Sequence, residues 1–279
     1  MARRNKPTAE AFAAAEPARL TAAADAVRPG DHLGRWGPVA YTPTPFSPVV
    51  DGDVLPVAPW RAVATGAARD IDLITGHTRD EYRLFMHVYG LRGQVSAELA
   101  SAALTALAPG RPEKGEAAYR AAYPDADPET LFELVHSDWL FRMPTLHLAQ
   151  AHAAAGGRTF LYEVCFPASV NNLGACHAID VPLVFGNFPF PGEMLFGPEP
   201  PAGAVALGDL MRRQWAAFAA GGDPGWPAYA PGRRLTRIFD DPPDVVSYPE
   251  EASLHLWDQH RFGAIDLSAE PAPHLSDTR

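Results

Sequence analysis

Apolar residues recur along this chain at two different spacings. Between 129 and 155, Leu131, Leu134, Val135, Leu140, Leu146 and Leu148 return at roughly helical intervals. The spacing predicts a helix over 129–155, kinked or split at Pro144, which has no N–H to donate, and ended by Gly156-Gly157. Helices are also predicted near 80–88, 94–108 and 113–122, over Pro59 to Ala67, over 204–220 and over 250–262. The stretch 204–220 is amphipathic through Leu207, Leu210, Met211, Trp215 and Phe218. Thr159-Phe160-Leu161-Tyr162-Glu163-Val164-Cys165-Phe166 is the clearest strand, being rich in aromatic and β-branched residues. Asp70 to Gly76 reads as a short buried strand ending at glycine, and Arg234 to Phe239 as another. Strands alternating with helices predict an α/β architecture.

The flanks are less regular. Residues 8–27 form an alanine-rich helical pattern whose few anchors are Phe12 and Leu20. Residues 1–36 read as a helical or poorly ordered arm. Pro43, Pro45, Pro48, Pro56 and Pro59 make 28–59 an extended, looping segment with an Asp51-Gly52 turn. Residues 186–203 read as a Pro/Gly loop, and 270–279 as a frayed tail. The chain as a whole, 1–279, is expected to be a single, partial domain.

Composition narrows the partners. The chain is 47% hydrophobic, with 6 Trp and 14 Phe, enough for a sizeable core. A net charge of −10 repels phosphates, so nucleic acid is not an expected partner. No run of about 18 apolar residues is present, so no membrane span is expected. The basic start Met1-Ala2-Arg3-Arg4-Asn5-Lys6 is followed by Glu10, Glu16 and Arg19 rather than an apolar core, which makes the cytoplasm the expected location. Cys165 and Cys176 are too few for a disulfide scaffold and read as buried free thiols.

Two motifs carry chemistry. Glu81 stands in Gly76-His77-Thr78-Arg79-Asp80-Glu81, just past a strand, where α/β proteins hold their reactive groups. A carboxylate there can orient an imidazole; a helix-opening glutamate would look the same. His177 stands in Gly174-Ala175-Cys176-His177-Ala178-Ile179-Asp180, past the clearest strand. It reads as a general base or as an ordinary loop histidine. The order acid, then histidine, is that of α/β-hydrolases. No serine in the chain has a glycine two residues before or after it, so the Gly-x-Ser-x-Gly elbow is missing. No Gly-Gly-Gly run offers an oxyanion hole. Cys176, adjacent to His177, is not set up as a substitute nucleophile. His136, Asp138, His147 and His152 crowd one predicted helix without a metal-binding motif and read as its wet face. No metal or cofactor is expected.

With these residues in view, the chain resembles the carboxyl-terminal half of the type-B carboxylesterases, the family of bacterial para-nitrobenzyl esterases and cholinesterases. Pro48 to Pro56 is similar to the segment entering the family's acid-bearing strand, and Leu73 to Glu81 to its acid motif, with Tyr82 where glycine is frequent. Ser137-Asp138-Trp139-Leu140-Phe141-Arg142-Met143-Pro144 resembles a further segment, and Gly174 to Gly186 is the strongest match. Trp215 to Pro224, followed by Trp226-Pro227, is also similar. The family-like region covers 40–250. The resemblance implies a partial α/β-hydrolase fold, the C-terminal part of a mostly parallel sheet with flanking helices. It places Glu81 at the catalytic acid, His177 at the catalytic histidine and Asp138 behind the triad, with a small-molecule ester as substrate. The family's serine and oxyanion glycines come earlier than anything here. The chain therefore reads as a truncated or split esterase, inactive alone; the alternatives are a non-catalytic, esterase-like binding protein and a gene remnant. Missing early strands would leave a sheet edge open to a partner chain or to self-association.

Overall fold

The computed structural model of the chain describes residues 8–42 and 46–263. The described residues fall into two compact units, one up to residue 47 and one from residue 48 onward. In the first, Thr8 accepts the Ala11 N–H and opens α1 (Ala9–Ala13), and Pro17 opens α2 (Pro17–Asp25). The single helix expected over 8–27 is thus two: proline cannot donate to continue a helix, while its fixed φ suits a first turn. Neither helix buries a residue. Short helical turns from Pro29 to Tyr41, α3 (Leu33–Trp36) among them, stand where an extended segment was expected. Pro43, Pro45 and the tail from Glu270 lie outside the described residues.

The second unit is built on a four-stranded sheet in the order β1 (Leu73–Thr78), β2 (Thr159–Val164), β3 (Leu235–Phe239), β4 (Asp244–Ser247). The first three strands are parallel and β4 is antiparallel. Asp51 and α4 (Pro59–Ala64) precede the sheet, with the Asp51 carboxylate accepting the Asp53 and Leu55 N–H groups as the turn signal implied. A parallel pair needs a long crossover. Between β1 and β2 it comprises α5 (Arg83–Val88), α6 (Ala97–Leu107), α7 (Pro112–Ala122), α8 (Pro128–Ser137) and α9 (Met143–Ala154). Between β2 and β3 it comprises α10 (Asp180–Phe185), α11 (Glu193–Phe196) and α12 (Ala202–Gly221). Helix α13 (Glu251–Trp257) follows the sheet. This is the expected α/β architecture with a mostly parallel sheet.

Several elements of this unit differ from the expectation, among them α11 (Glu193–Phe196), a helical turn within 186–203 where a Pro/Gly loop was expected. The strand expected over 70–76 runs from 73 to 78, because Gly76 pairs with Tyr162 and the strand continues through it. A Cβ at Gly76 would collide with the Tyr162 ring, so glycine here admits an aromatic neighbour. The helix expected over 129–155 is split by a π-turn at Asp138–Arg142, in which the Met143 N–H bonds the Asp138 carbonyl. Pro144 lacks the N–H that a regular helix would present to the preceding turn, and one extra residue of winding absorbs the fault. Strand β4 went unpredicted, being four residues long between prolines.

The two sheet faces differ in chemistry. Phe160 and Val164 of β2 pack with Leu183, Met211, Trp226 and Phe239 into the apolar core. Thr159, Leu161 and Glu163 alternate to the other face, where Thr159 meets His152 of α9 at 2.7 Å. That side holds a buried ionic network. Arg142, 1% exposed, pairs with Asp138 at 2.9 Å and Glu250 at 3.0 Å. Asp138 also accepts from Tyr119 at 2.7 Å and Ser253 at 2.6 Å, and the Trp257 indole donates to Tyr119. The π-turn thereby joins α7 to α13. The wet-face reading of His136, Asp138 and His152 is corrected: all three are buried. The π-turn and the break between α8 and α9 rotate them off any common exposed stripe, and each finds an internal partner.

Two substitutions separate charge from hydrogen bonding here. Arg142→Met strands two carboxylates and should cost about 3–5 kcal/mol. Tyr119→Phe removes one donor to Asp138 and should cost about 1–3 kcal/mol. Urea unfolding of both variants measures the order; equal losses would contradict it.

Candidate active site

Strands β1 and β2 are in register from Leu73↔Thr159 to Thr78↔Val164, so they end level. The loops that follow, one carrying Glu81 and the other His177, emerge side by side. A buried carboxylate between the two motif residues' loops fastens them. Asp80 accepts the Ala175 N–H at 2.8 Å and gives its own N–H to the Ala175 carbonyl at 2.9 Å. Arg79 and Arg83 pair with the same carboxylate at 3.0 and 3.1 Å. Gly174 lies at φ +64°, and a Cβ there would run into Asp80 and Arg83. Only glycine meets both demands, a left-handed backbone and the close approach.

Glu81 and His177 are thus brought together, as the motifs implied. Glu81 Oε2 lies 2.6 Å from Nδ1 of His177, and its Oε1 accepts the Thr78 N–H at 2.7 Å. The His177 N–H reaches the Glu81 carbonyl at 3.3 Å. The carboxylate is 5% exposed and the imidazole 38%, so the acid is sealed while the ring keeps an open side. Nε2 has no hydrogen-bond partner among the described residues. Burial depresses the imidazolium, but the hydrogen bond and charge of Glu81, with Asp180 behind, more than reverse it and hold the His177 pKa above its ordinary value. The bond at Nδ1 fixes the tautomer that leaves Nε2 as the acceptor. In that arrangement the imidazole keeps a free, half-exposed nitrogen that is chemically able to take up a proton.

Asp138 lies elsewhere in this neighbourhood. Its carboxylate bonds Tyr119, Ser253 and Arg142, and neither Glu81 nor His177 is among its partners. The segment reaches the acid loop through the preceding residue instead: Ser137 Oγ accepts the Tyr82 N–H at 2.9 Å. Cys176 is buried and its thiol pushed up to about 12 by burial and the Glu81 and Asp80 charges, so no thiolate stands beside His177. No group of three or more His, Cys, Asp or Glu among the described residues is arranged to hold a metal ion. No helix among them is long and apolar enough to cross a membrane.

Several residues of the site escaped the sequence reading. Phe85 and Phe141 flank the His177 ring at centroid distances of 5.1 and 4.8 Å and stack on each other at 5.9 Å. Their only sequence signal was proximity to matched motifs. Asp180 is held protonated more readily than an ordinary carboxyl by burial and by the Glu81 charge, and Tyr162 donates to it at 3.3 Å. Asp80 sat next to Glu81 in plain view, but its partner Ala175 is 95 residues away.

Comparison with known proteins identifies the family. The carboxylesterase family model matches residues 5–242. A para-nitrobenzyl esterase of Bacillus subtilis (strain 168) is 32% identical over 216 residues, covering 74% of this chain and 41% of that protein. An acylcarnitine hydrolase of Rattus norvegicus is 26% identical over 231 residues, covering 75% of this chain and 40% of its own length. Among solved structures, a carboxylesterase of Geobacillus stearothermophilus, EST55, superposes with a TM-score of 0.65 at 27% identity, over 78% of this chain and 47% of the other. A thermophilic para-nitrobenzyl esterase gives 0.70 at 26% identity, over 88% and 49%. The chain spans less than half the length of each of these relatives, and it belongs to the carboxylesterase family.

Proposed function

We propose that Glu81 and His177 are the acid and base of a serine carboxylesterase acting on a small-molecule ester, and that the serine and oxyanion donors come from polypeptide outside these 279 residues. The observation that carries this is the 2.6 Å Glu81–His177 contact with Nε2 left open. In the completed site Nε2 takes the proton of the serine hydroxyl as it attacks the ester carbonyl. The resulting imidazolium is stabilised by Glu81 and returns the proton to the leaving alcohol. Water then repeats the sequence on the acyl-enzyme. An intact, sealed acid behind an open imidazole favours this over a non-catalytic binding role, which has no use for either. Strand β1 is the natural place for the completing segment. Its outer edge carries no strand among the described residues, and an unpaired edge accepts a strand. Beside it a groove of about 360 Å³ is lined by Leu73, Ile74, Tyr162, Trp215 and Phe218.

The chain alone should leave p-nitrophenyl acetate unhydrolysed and take no fluorophosphonate label. Mixing it with the serine-bearing half of a related esterase should give turnover that His177→Ala abolishes. Turnover and labelling by the chain alone would overturn the incomplete-site reading. In the completed enzyme Glu81→Gln should lower kcat about 10⁴-fold, the scale seen when a triad acid is neutralised; a loss under tenfold would remove Glu81 from the role.

The pH dependence has a definite sign. A base must be neutral, so kcat/KM should fall as pH drops through the raised His177 pKa, on the alkaline side of an ordinary imidazole, and Glu81→Gln should move that limb to lower pH. Stability runs the other way. The charged pair contributes fully below the unfolded imidazole pKa, and the contribution is lost as pH rises through the folded one. Denaturation of wild type against His177→Gln across that window measures it.

Edge completion has its own readout. Hydrogen exchange of the β1 amides should slow when the serine-bearing half binds. Unchanged exchange in an active mixture would place the contact elsewhere.

A further inference from the structure

The last turn of α8 bears directly on the acid loop. Glu133 and Ser137 lie one turn apart on the same helix face and are both buried. Ser137 Oγ donates to Glu133 Oε1 at 2.6 Å and accepts the Tyr82 N–H at 2.9 Å. A hydroxyl has one proton. Spending it on Glu133 fixes the rotor so that a lone pair meets Tyr82. Tyr82 is the residue after Glu81, and its ring stacks on His136 at 4.1 Å with planes 19° apart. Backbone and side chain of Tyr82 thus rest on two successive residues of α8. The far side of Glu133 lines a polar cavity of about 240 Å³ that also touches Arg83, Arg92, Asp127 and Glu129. Neither Glu133 nor Ser137 bonds Glu81 or His177.

We propose that Glu133 and Ser137 are positioning residues: the carboxylate orients the Ser137 hydroxyl, the hydroxyl holds the Tyr82 amide, and that hold sets Glu81 against Nδ1 of His177. The proposal rests on the Glu81–His177 pairing and needs no turnover to test. The groups facing Glu133 are Ser137 on its own helix, Arg142 on the π-turn, Asp80 on the acid loop and Arg83 on α5. Of these, Arg142, Asp80 and Arg83 make no bond to the Ser137 hydroxyl. Burial, opposed by Arg142 and the Ser137 bond, lifts Glu133 to about 7. Its carbonyl oxygen accepts the Ser137 proton in either charge state, so an amide should substitute for it.

The test is a two-bond ¹H–¹⁵N titration of the His177 ring in the full chain. Ser137→Ala and Glu133→Leu should each lower the His177 pKa and weaken the Nδ1–H signal. Ser137→Thr and Glu133→Gln, which keep the hydroxyl and the acceptor, should restore both. Far-ultraviolet melts confirm that each variant is folded. A His177 titration unmoved by Ser137→Ala in a folded protein overturns the proposal. Glu81→Gln is the control that separates the two ideas: if it too leaves His177 unmoved, the acid–histidine pairing fails rather than the positioning. Where the loss variants do not fold, the wild-type chain decides through Tyr82 amide exchange. Strong protection supports the Ser137 contact, and exchange at the rate of an open loop overturns it.

Discussion

Everything at the candidate site depends on how far apart two loops are held, and that spacing rests on the buried carboxylate of Asp80. Level strand ends bring the loops to one side of the sheet, but level ends alone do not fix a 2.6 Å contact. Asp80 does so by exchanging two hydrogen bonds with Ala175, one through its backbone and one through its side chain. Its charge is met by two guanidinium groups, Arg79 and Arg83, without which a carboxylate so enclosed would be costly. Gly174 supplies the room. The acid and the histidine are consequently neighbours of a clamp, and their own hydrogen bond does not have to hold the loops together.

Beneath the clamp, the π-turn does two jobs with one irregularity. It absorbs Pro144, and it turns Asp138 and Arg142 inward toward Tyr119, Ser253 and Glu250. The same turn carries Phe141 onto the His177 ring. A fault in a helix, forced by proline, thus becomes the point where the end of the chain's second unit, the crossover helices and the imidazole's aromatic support converge. The regular helix end just before it meets the acid loop through Ser137. A buried polar network of this kind specifies one arrangement strongly, because any other leaves charges unpaired.

Much of this was legible in the sequence, and the reasons for the rest are physical. The helices expected near 94–108 and 113–122 stand at 97–107 and 112–122, and β2 stands where its aromatic and β-branched run placed it. Glu81 and His177 were legible as motifs. The end of β1 was misplaced because Gly76 looks like a terminator, whereas here it is the position that admits the Tyr162 ring. Asp80 and Ser137 were invisible because each acts through a partner distant in sequence, Ala175 for the first and Tyr82 for the second, and Glu133 reaches the acid loop only through Ser137. Asp138 was singled out by resemblance, yet its own bonds run to α7, the π-turn and α13. Local patterns report which face of an element is apolar; they do not report which polar groups will meet across a crossover.

The parallel register of β1 and β2 has a consequence for how the site comes into being. Glu81 and His177 are 96 residues apart, and no short-range event brings them together. Five helices must fold back before the two strands align, so the entropic cost of closing that loop falls early and its reward comes late. The pair is therefore a contact of high sequence separation, with no local structure to form it alone. Opening that parts β1 from β2 would part Glu81 from His177 as well, which makes that ring a reporter on the pairing of the two strands.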